Sequence, residues 1–368
     1  MKIGLITKAL AENGHSVTMI SQGEIVENHF KYYAGFCDTT EDFDGVPVYY
    51  ASAVPIRRIN GRWSAYQVQR LLARLHSENP FDCVIIYNLK MPQVYCALFA
   101  REVLRLPVLF EYEDDAFTPF PGEKASGLLH AWHQKRYRNV LRKVSGCMAV
   151  SPYLLAQTPE NVPKLLIRGI VANEIEEAVQ LYGRTKFNRV VFSGTHSLPQ
   201  GLEQLIEAWQ KSPLSGWELH IAGEGPLTPK LKSMASEDTS IVFHGLLSRM
   251  ENAKLLVSAK LAIVPYNTFD NPGRGFAFKT IECLAAGLHV ISTPMGEVEK
   301  ELAEGMTIIN DNNPETIVKA LNRSVEEKVW EKTAQTAACK NYGFANVCEA
   351  IGQFVHRACE YHRHSQFV

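Results

Sequence analysis

Short runs of Val, Ile, Leu and Phe alternate along the chain with longer stretches whose apolar residues recur every three to four positions. This is the pattern of strands threaded by helices in parallel α/β units. In the first half the runs predict strands at His15–Ser21, Val46–Ala51, Asp82–Tyr87, Val108–Tyr112, Cys147–Ser151 and Lys164–Ile167. Helical spacing falls at Gly61–Glu78, Pro92–Leu104 and Ser126–Val144. After Arg168-Gly169 a second series predicts strands at Arg189–Phe192, Trp217–Ala222, Ser240–Phe243, Leu261–Val264, His289–Ser292 and Thr307–Ile309. Helical patterns fill the gaps at Gly201–Gln210, Leu227–Ala235, Met250–Ser258, Gly275–Ala286 and Pro314–Leu321. Each half reads as a complete doubly wound domain, over 1–168 and 169–343. The remaining 344–368 reads as a terminal helix with Val347, Ile351, Phe354, Val355 and Ala358 apolar.

The opening is ambiguous. If Met1–Thr7 were a strand, only seven residues would separate it from His15, and a parallel crossover needs about ten to twelve. As a helix, Ile3, Ile6 and Leu10 share one face and Gly14 supplies a C-terminal stop. We read a helix, so the first domain lacks its first strand and turn.

The 368 residues suit two domains, and 46% hydrophobic with 21% charged residues excludes a disordered chain. A net charge of -1 gives no whole-molecule attraction to nucleic acid. The eight cysteines include no C-x-x-C pair and read as small buried residues in a reducing compartment. The apolar run Ile3–Ile6 is too short for a signal peptide, and no stretch approaches the ~18 residues that span a bilayer. A cytoplasmic location follows as the expectation. His356, His362 and His364 read as a polar tail, with no metal-ligand pattern, and no Ser-His-Asp triad is evident.

Chemistry concentrates in the second half. Phe192-Ser193-Gly194-Thr195-His196 is a strand entering a turn, with Gln200-Gly201 opening the next helix. Leu219–Pro226 is a strand followed by a Gly223-x-Gly225-Pro turn, and Val242-Phe243-His244-Gly245 follows. Asn271–Gly287 is the richest segment. All four fall at the carboxyl ends of predicted strands, where open α/β sheets bind ligands. Gly275 and Phe276 are predicted at a helix N-terminus, a ready site for a diphosphate. Arg274 and Lys279 add positive charge, and Glu282, two turns along, can accept two ribose hydroxyls. Each residue also has an ordinary reading, since glycines make turns and a helical Glu is usually solvated.

These segments resemble the family 4 glycosyltransferases, a retaining group with the GT-B fold, over nearly the whole chain. Leu10–Thr18 resembles the family's opening helix and Gly-His turn, and Ala149-Val150-Ser151 its Val-Ser before a helix. Ile167-Arg168-Gly169-Ile170 resembles its inter-domain hinge. Phe276-Ala277-Phe278-Lys279-Thr280-Ile281-Glu282 resembles a bacterial subgroup with a Phe-x-Lys-x-x-Glu donor motif. The resemblance implies two Rossmann-like domains facing a central cleft, with the terminal helix crossing back to the first. It implies transfer of a hexosyl-type sugar from a nucleotide-diphosphate donor on the second domain to a glycan or lipid-linked acceptor on the first. Retention is expected without a metal or other cofactor, typically in surface polysaccharide or glycolipid synthesis. Donor contacts are then expected from Gly194, Thr195, Gln200, Gly223, Gly225, Arg274, Gly275, Phe276, Lys279 and Glu282. Glu113 and Asp114, where the family often has His-Asp, become the candidate catalytic pair.

The departures are specific. The family places Arg and Lys where this chain has Thr195 and Gln200, and the first of its paired glutamates falls at Arg274. Two lost charge-assisted contacts of ~1.5–3 kcal/mol each would weaken diphosphate binding by orders of magnitude. Arg274 and Lys279 are expected to restore that charge from the opposite side. A weak or inactive relative that binds a nucleotide sugar or a partner protein is the alternative, and a GT-B epimerase fits the order of segments less well. Within 132–143, Lys135, Arg136, Arg138, Arg142 and Lys143 interleave with Trp132, Tyr137 and Leu141. This is either a solvated basic face or a patch drawn to anionic lipid, which Arg57, Arg58, Arg62 and Trp63 would extend.

Overall fold

The computed structural model describes all residues except 1, 28–29, 34, 36–38, 44, 116, 118–127, 184, 268–277, 295–297 and 366–368. The chain forms two compact units, Met1–Arg168 with Val347–Val368, and Gly169–Asn346.

The first unit opens with helix α1 (Lys2–Glu12), followed by β1 (Met19–Ser21), β2 (Glu24–Glu27), β3 (Phe30–Tyr33), β4 (Thr39–Phe43) and β5 (Val46–Tyr50). Next come α2 (Arg57–Glu78), β6 (Val84–Tyr87), α3 (Met91–Glu102), β7 (Val108–Tyr112), α4 (Leu128–Lys143), β8 (Gly146–Ala149), α5 (Pro152–Leu155) and β9 (Lys164–Leu166). Strands β6 to β9 form a parallel sheet in chain order, whereas β1, β5 and β4 form a separate three-stranded sheet and β2–β3 a hairpin. The opening is helical, as its spacing indicates: Leu5, Ile6, Ala9 and Leu10 are all buried. Among the described residues no strand joins these two sheets, as expected for a domain that lacks its first strand.

The second unit contains α6 (Asn173–Tyr182), β10 (Phe187–Ser193), α7 (Leu202–Lys211), β11 (Glu218–Ala222), α8 (Thr228–Met234), β12 (Ile241–Gly245), α9 (Arg249–Val257) and β13 (Ala259–Val264). It continues with α10 (Phe278–Ala285), β14 (His289–Ser292), α11 (Val298–Glu301), β15 (Met306–Ile308), α12 (Pro314–Glu326) and α13 (Gln335–Tyr342). Its six strands are all parallel, in the order β12-β11-β10-β13-β14-β15. Alternate residues feed two cores. Val191, Ala262 and Val290 face one, while Val190, Phe192, Leu261 and Ile291 face the other. In α7, Leu202, Leu205, Ile206 and Trp209 bury one stripe, and the Trp209 indole donates to Ser240 Oγ at 2.8 Å. Ser248 and Glu251 form a capping box that fixes the start of α9.

Helix α14 (Phe344–Ser365) closes the chain, and from Val347 onward it belongs to the first unit. Asn13 Nδ2 donates to Cys348 O at 2.8 Å, tying α14 to the end of α1. The expected polar tail is corrected. His362 is buried on this helix, within 3.0 Å of Ser145 Oγ, and only His356 and His364 are exposed. No helix among the described residues is long and apolar enough to cross a membrane.

Candidate functional site

The second unit's sheet reverses its winding between β10 and β13, the place where an open α/β sheet leaves a crevice beyond its carboxyl ends. Gly194 leaves β10 there, and Pro265-Tyr266 leaves β13. The turns around them are locked together by backbone. Gly194 N donates to Ala222 O at 3.0 Å, His196 N to Glu224 O at 3.0 Å and Gly223 N to Gly245 O at 2.7 Å. A Cβ on Gly223, at φ +113°, would stand 2.0 Å from Gly194 O, and one on Gly225 2.4 Å from His196 O. These two glycines therefore let one turn sit against the next. Thr195 is exposed at the rim.

Lys279, on the first turn of α10, reaches into the same crevice. Its Nζ lies 4.0 Å from the Phe192 ring centroid and 4.9 Å from that of Tyr266. A Cβ on Gly194 would be 3.1 Å from it. It donates to Gln200 Oε1, while Gln200 Nε2 donates to the Tyr266 hydroxyl at 3.3 Å. No carboxylate among the described residues is recorded against this ammonium, and burial pulls its pKa down to about 7. A part-buried cation beside a glycine turn, with no counter-ion among the described residues, is suited electrostatically to an anion. Gln200 thus positions the Lys279 ammonium.

Glu282 is three residues further along α10 and only 7% exposed. The expectation of an ordinary solvated helical Glu is ruled out. Burial raises its carboxyl to about 7; of the nearby ion pair, Glu174 adds to the rise and Arg249 opposes it. Arg274, Gly275 and Phe276 lie outside the described residues.

In the first unit the candidate acids follow β7. Asn88, after β6, adopts the left-handed conformation (φ 53°), which Asn tolerates better than most residues. Its Oδ1 accepts from Glu113 N at 2.9 Å and Asp114 N at 3.0 Å, while its Nδ2 donates to Asp114 Oδ2 at 2.9 Å. The Tyr87 hydroxyl donates to Glu113 Oε2. Burial, then this bond, raises the Tyr87 pKa and keeps the phenol protonated. Glu113 is thus a held carboxylate and Asp114 an exposed one. Sequence reasoning missed Tyr87 and Asn88 as the residues that hold them; an Asn closing a strand was the available signal. It also missed Asn267 and Asn312, whose side chains bond each other at 2.6 Å and brace the loop after β13. No spacing pattern announces these.

On α4, Trp132 is 41% exposed, and Lys135, Arg138 and Arg142 are exposed along the same face. Members of the expected patch are turned to other uses, Lys143 pairing with Glu102 at 2.5 Å. Leu141 is buried, and Arg136 stacks between Trp132 and Tyr95, 4.1 and 4.7 Å from the ring centroids.

Comparison with known proteins bears on the fold and the class of activity. A family model described as "Glycosyl transferase 4-like domain" matches residues 3–164, and one described as "Glycosyl transferases group 1" matches 187–327. No curated protein sequence matches the chain. Among solved structures, sucrose-phosphate synthase from Thermosynechococcus elongatus is similar with a TM-score of 0.69 at 14% identity, covering 95% of this chain and 91% of that one. HepE of Anabaena, solved with UDP, gives 0.63 at 14% identity over 85% and 86%. WaaG, a glycosyltransferase of lipopolysaccharide biosynthesis, gives 0.61 at 14% identity over 95% and 94%. At such identities structural likeness speaks for the fold alone, and a putative UDP-N-acetylglucosamine 2-epimerase from Listeria monocytogenes shares it at 0.55. The two sequence models separate these classes, and the chain is a glycosyltransferase of the GT-B type, a 4-like domain followed by a group 1 domain.

Proposed function

We propose that this enzyme moves a sugar from a nucleotide-diphosphate donor, held in the crevice of the second unit, to a glycan or lipid-linked acceptor with retention at the anomeric carbon. The observation that carries this reading is the Lys279 ammonium beside Gly194 at the switch point, with no carboxylate partner among the described residues. As the glycosidic bond breaks, negative charge grows on the departing diphosphate, and a cation already fixed there stabilises it without reorganisation. Glu282, as a carboxylate, accepts from the ribose hydroxyls. Arg274 adds charge from the segment preceding α10, and no metal is required. Retention follows from attack on the face the diphosphate leaves, its oxygen taking the acceptor's proton. Glu113 and Asp114 hold sugar hydroxyls of the acceptor or donor. HepE of Anabaena bound to UDP-glucose and Arabidopsis thaliana starch synthase IV bound to ADP and acarbose support the ligand class.

Calorimetric titration with UDP-, GDP- and ADP-sugars tests this. One of them binds, and Lys279→Ala weakens it about 10- to 150-fold, the value of one charged hydrogen bond. If Lys279→Ala and Arg274→Ala together leave affinity unchanged, the replacement of the family's Arg and Lys by these two residues is wrong.

The setting we propose is surface polysaccharide or glycolipid synthesis at the cytoplasmic face of a membrane, reached through 132–143. The exposed Trp132 with Lys135, Arg138 and Arg142 on one face supports it. Binding to anionic vesicles that is lost at high salt is expected; binding that is absent or indifferent to salt contradicts it.

A further inference from the structure

His196 ends the turn after β10 and is fully buried, yet it takes no part in the transfer chemistry above. Three attachments tie it to one segment, the turn between β11 and α8. His196 N donates to Glu224 O at 3.0 Å, Leu227 N donates to His196 O at 3.0 Å, and His196 Nδ1 lies 2.9 Å from Thr228 Oγ1. The same Thr228 oxygen accepts from Gly225 N at 2.9 Å. Gly225 fits against His196 O only because it lacks a Cβ, which would stand 2.4 Å away.

The donors and acceptors fix the tautomer. The Thr228 hydroxyl has one proton, and the Gly225 amide already occupies one of its lone pairs. With Nδ1 protonated, two donors would face that oxygen, and its own proton would have no acceptor among the described residues. With Nδ1 bare, the hydroxyl donates to it and both hydrogen bonds are made. The ring proton then sits on Nε2, which has no hydrogen-bond partner among the described residues. Burial is the main cause that holds this imidazole below the ordinary histidine value, so the ring is neutral at pH 7.

The link reaches the donor crevice by two routes. The first is backbone: Gly194 N donates to Ala222 O at 3.0 Å, which joins the turn after β10 to the turn after β11. The second is aromatic. The His196 ring lies 6.4 Å from that of Phe192, and Lys279 Nζ is 4.0 Å from the same Phe192 centroid. Phe243 packs edge-on against the imidazole at 6.3 Å.

We propose that His196 is a positioning residue for the donor: by accepting the Thr228 hydroxyl at Nδ1 it sets the Gly194 turn and, through Phe192, the place of the Lys279 ammonium. This rests on the donor site proposed above. His196 touches no substrate and moves no proton. It acts by holding the anion's contacts in place before the anion arrives, which spares binding the cost of ordering them.

The test is calorimetric titration of variants of the full chain with whichever UDP-, GDP- or ADP-sugar binds the wild type. His196→Phe offers no acceptor and Thr228→Val no hydroxyl. Each should weaken binding about 10-fold, and the double variant should be no weaker than either alone. His196→Asn, whose Oδ1 stands in for Nδ1, should recover most of the loss. Two readouts need no donor. Nitrogen NMR of the imidazole, assigned by its disappearance in His196→Asn, should show a neutral ring protonated at Nε2 at pH 7.5, and the Gly225 amide should exchange faster in Thr228→Val. A protonated Nδ1, wild-type affinity in both single variants, additive losses, or an Asn variant no better than Phe overturns the proposal. If the tautomer and the exchange come out as expected but the wild type binds no nucleotide sugar, the donor reading itself has failed, and the positioning role falls with it.

Discussion

Donor binding should exchange protons with solvent, and the sign should reverse near pH 7. Lys279 and Glu282 both sit near pKa 7 in the free enzyme, for the shared reason of burial. A diphosphate against Lys279 favours the ammonium, and ribose hydroxyls donating to Glu282 favour the carboxylate. At pH 8 about nine-tenths of Lys279 is neutral and about one-tenth of Glu282 protonated, so full conversion takes up about 0.8 proton net. At pH 6 the fractions exchange, and about 0.8 proton is released. Raising Lys279 from about 7 to about 9 corresponds to ~2.7 kcal/mol of coupling, within the ~1.5–3 kcal/mol of a charged hydrogen bond. The assay is calorimetry of a nucleotide sugar in pairs of buffers differing in ionisation enthalpy. A nucleotide sugar is the right probe because both phosphates are esterified and do not titrate near neutrality. Lys279→Met should abolish uptake at pH 8 and Glu282→Gln release at pH 6. No exchange at pH 8, or the same sign at both pH values, refutes the reasoning.

Four further outcomes are expected. Gly223→Ala, whose Cβ would collide with Gly194 O, should lower stability by at least ~2 kcal/mol in urea unfolding, whereas Gly216→Ala, with open space around it, should lose about 1 kcal/mol; equal losses would refute the interlocked turns. Asn88→Ala removes three hydrogen bonds from the acidic turn, so faster hydrogen exchange at the Glu113 and Asp114 amides and a lower kcat are expected. His196, His220, His244, His289 and His362 are all held below the ordinary histidine value, chiefly by burial. Their unfolded forms take up protons near 6.5, so their contribution to stability should fall as pH drops through that value. Glu282 opposes this, because it holds a proton to about 7 when folded and to 4.5 when unfolded. In Glu282→Gln, where that opposing group is gone, the urea midpoint should be lower at pH 5.5 than at 7.5, and equal midpoints would contradict it. Finally, a chelator should leave transfer unchanged, since Lys279 and Arg274 are proposed to meet the diphosphate's charge; activity lost to chelation and restored by a divalent cation would disprove that.

The second unit was more legible than the first because its strands are buried on both faces. Runs such as Leu261–Val264 and His289–Ser292 announce such strands directly. Strands β2 to β4 escaped notice because Glu24–Glu27 and Thr39–Phe43 carry no apolar run. Helices α6 and α13 were missed for a related reason: each buries only two residues, too few to mark a face by periodicity. At the site, Lys279 and Glu282 could be picked out as residues but not in character. That Lys279 would reach Gln200 across the crevice depends on how α10 meets the β10 turn, a tertiary fact. The buried His362 was read as a tail because nothing local shows that Ser145 and Arg105 wait for it.

The most direct measurement is a crystal structure of the protein soaked with UDP, or with the nucleoside diphosphate of whichever sugar binds. We expect the diphosphate between the Gly194 turn and α10 with an oxygen within hydrogen-bonding distance of Lys279 Nζ, and the ribose hydroxyls on Glu282. A diphosphate bound away from Lys279, or a ribose that leaves Glu282 untouched, would contradict the central claim.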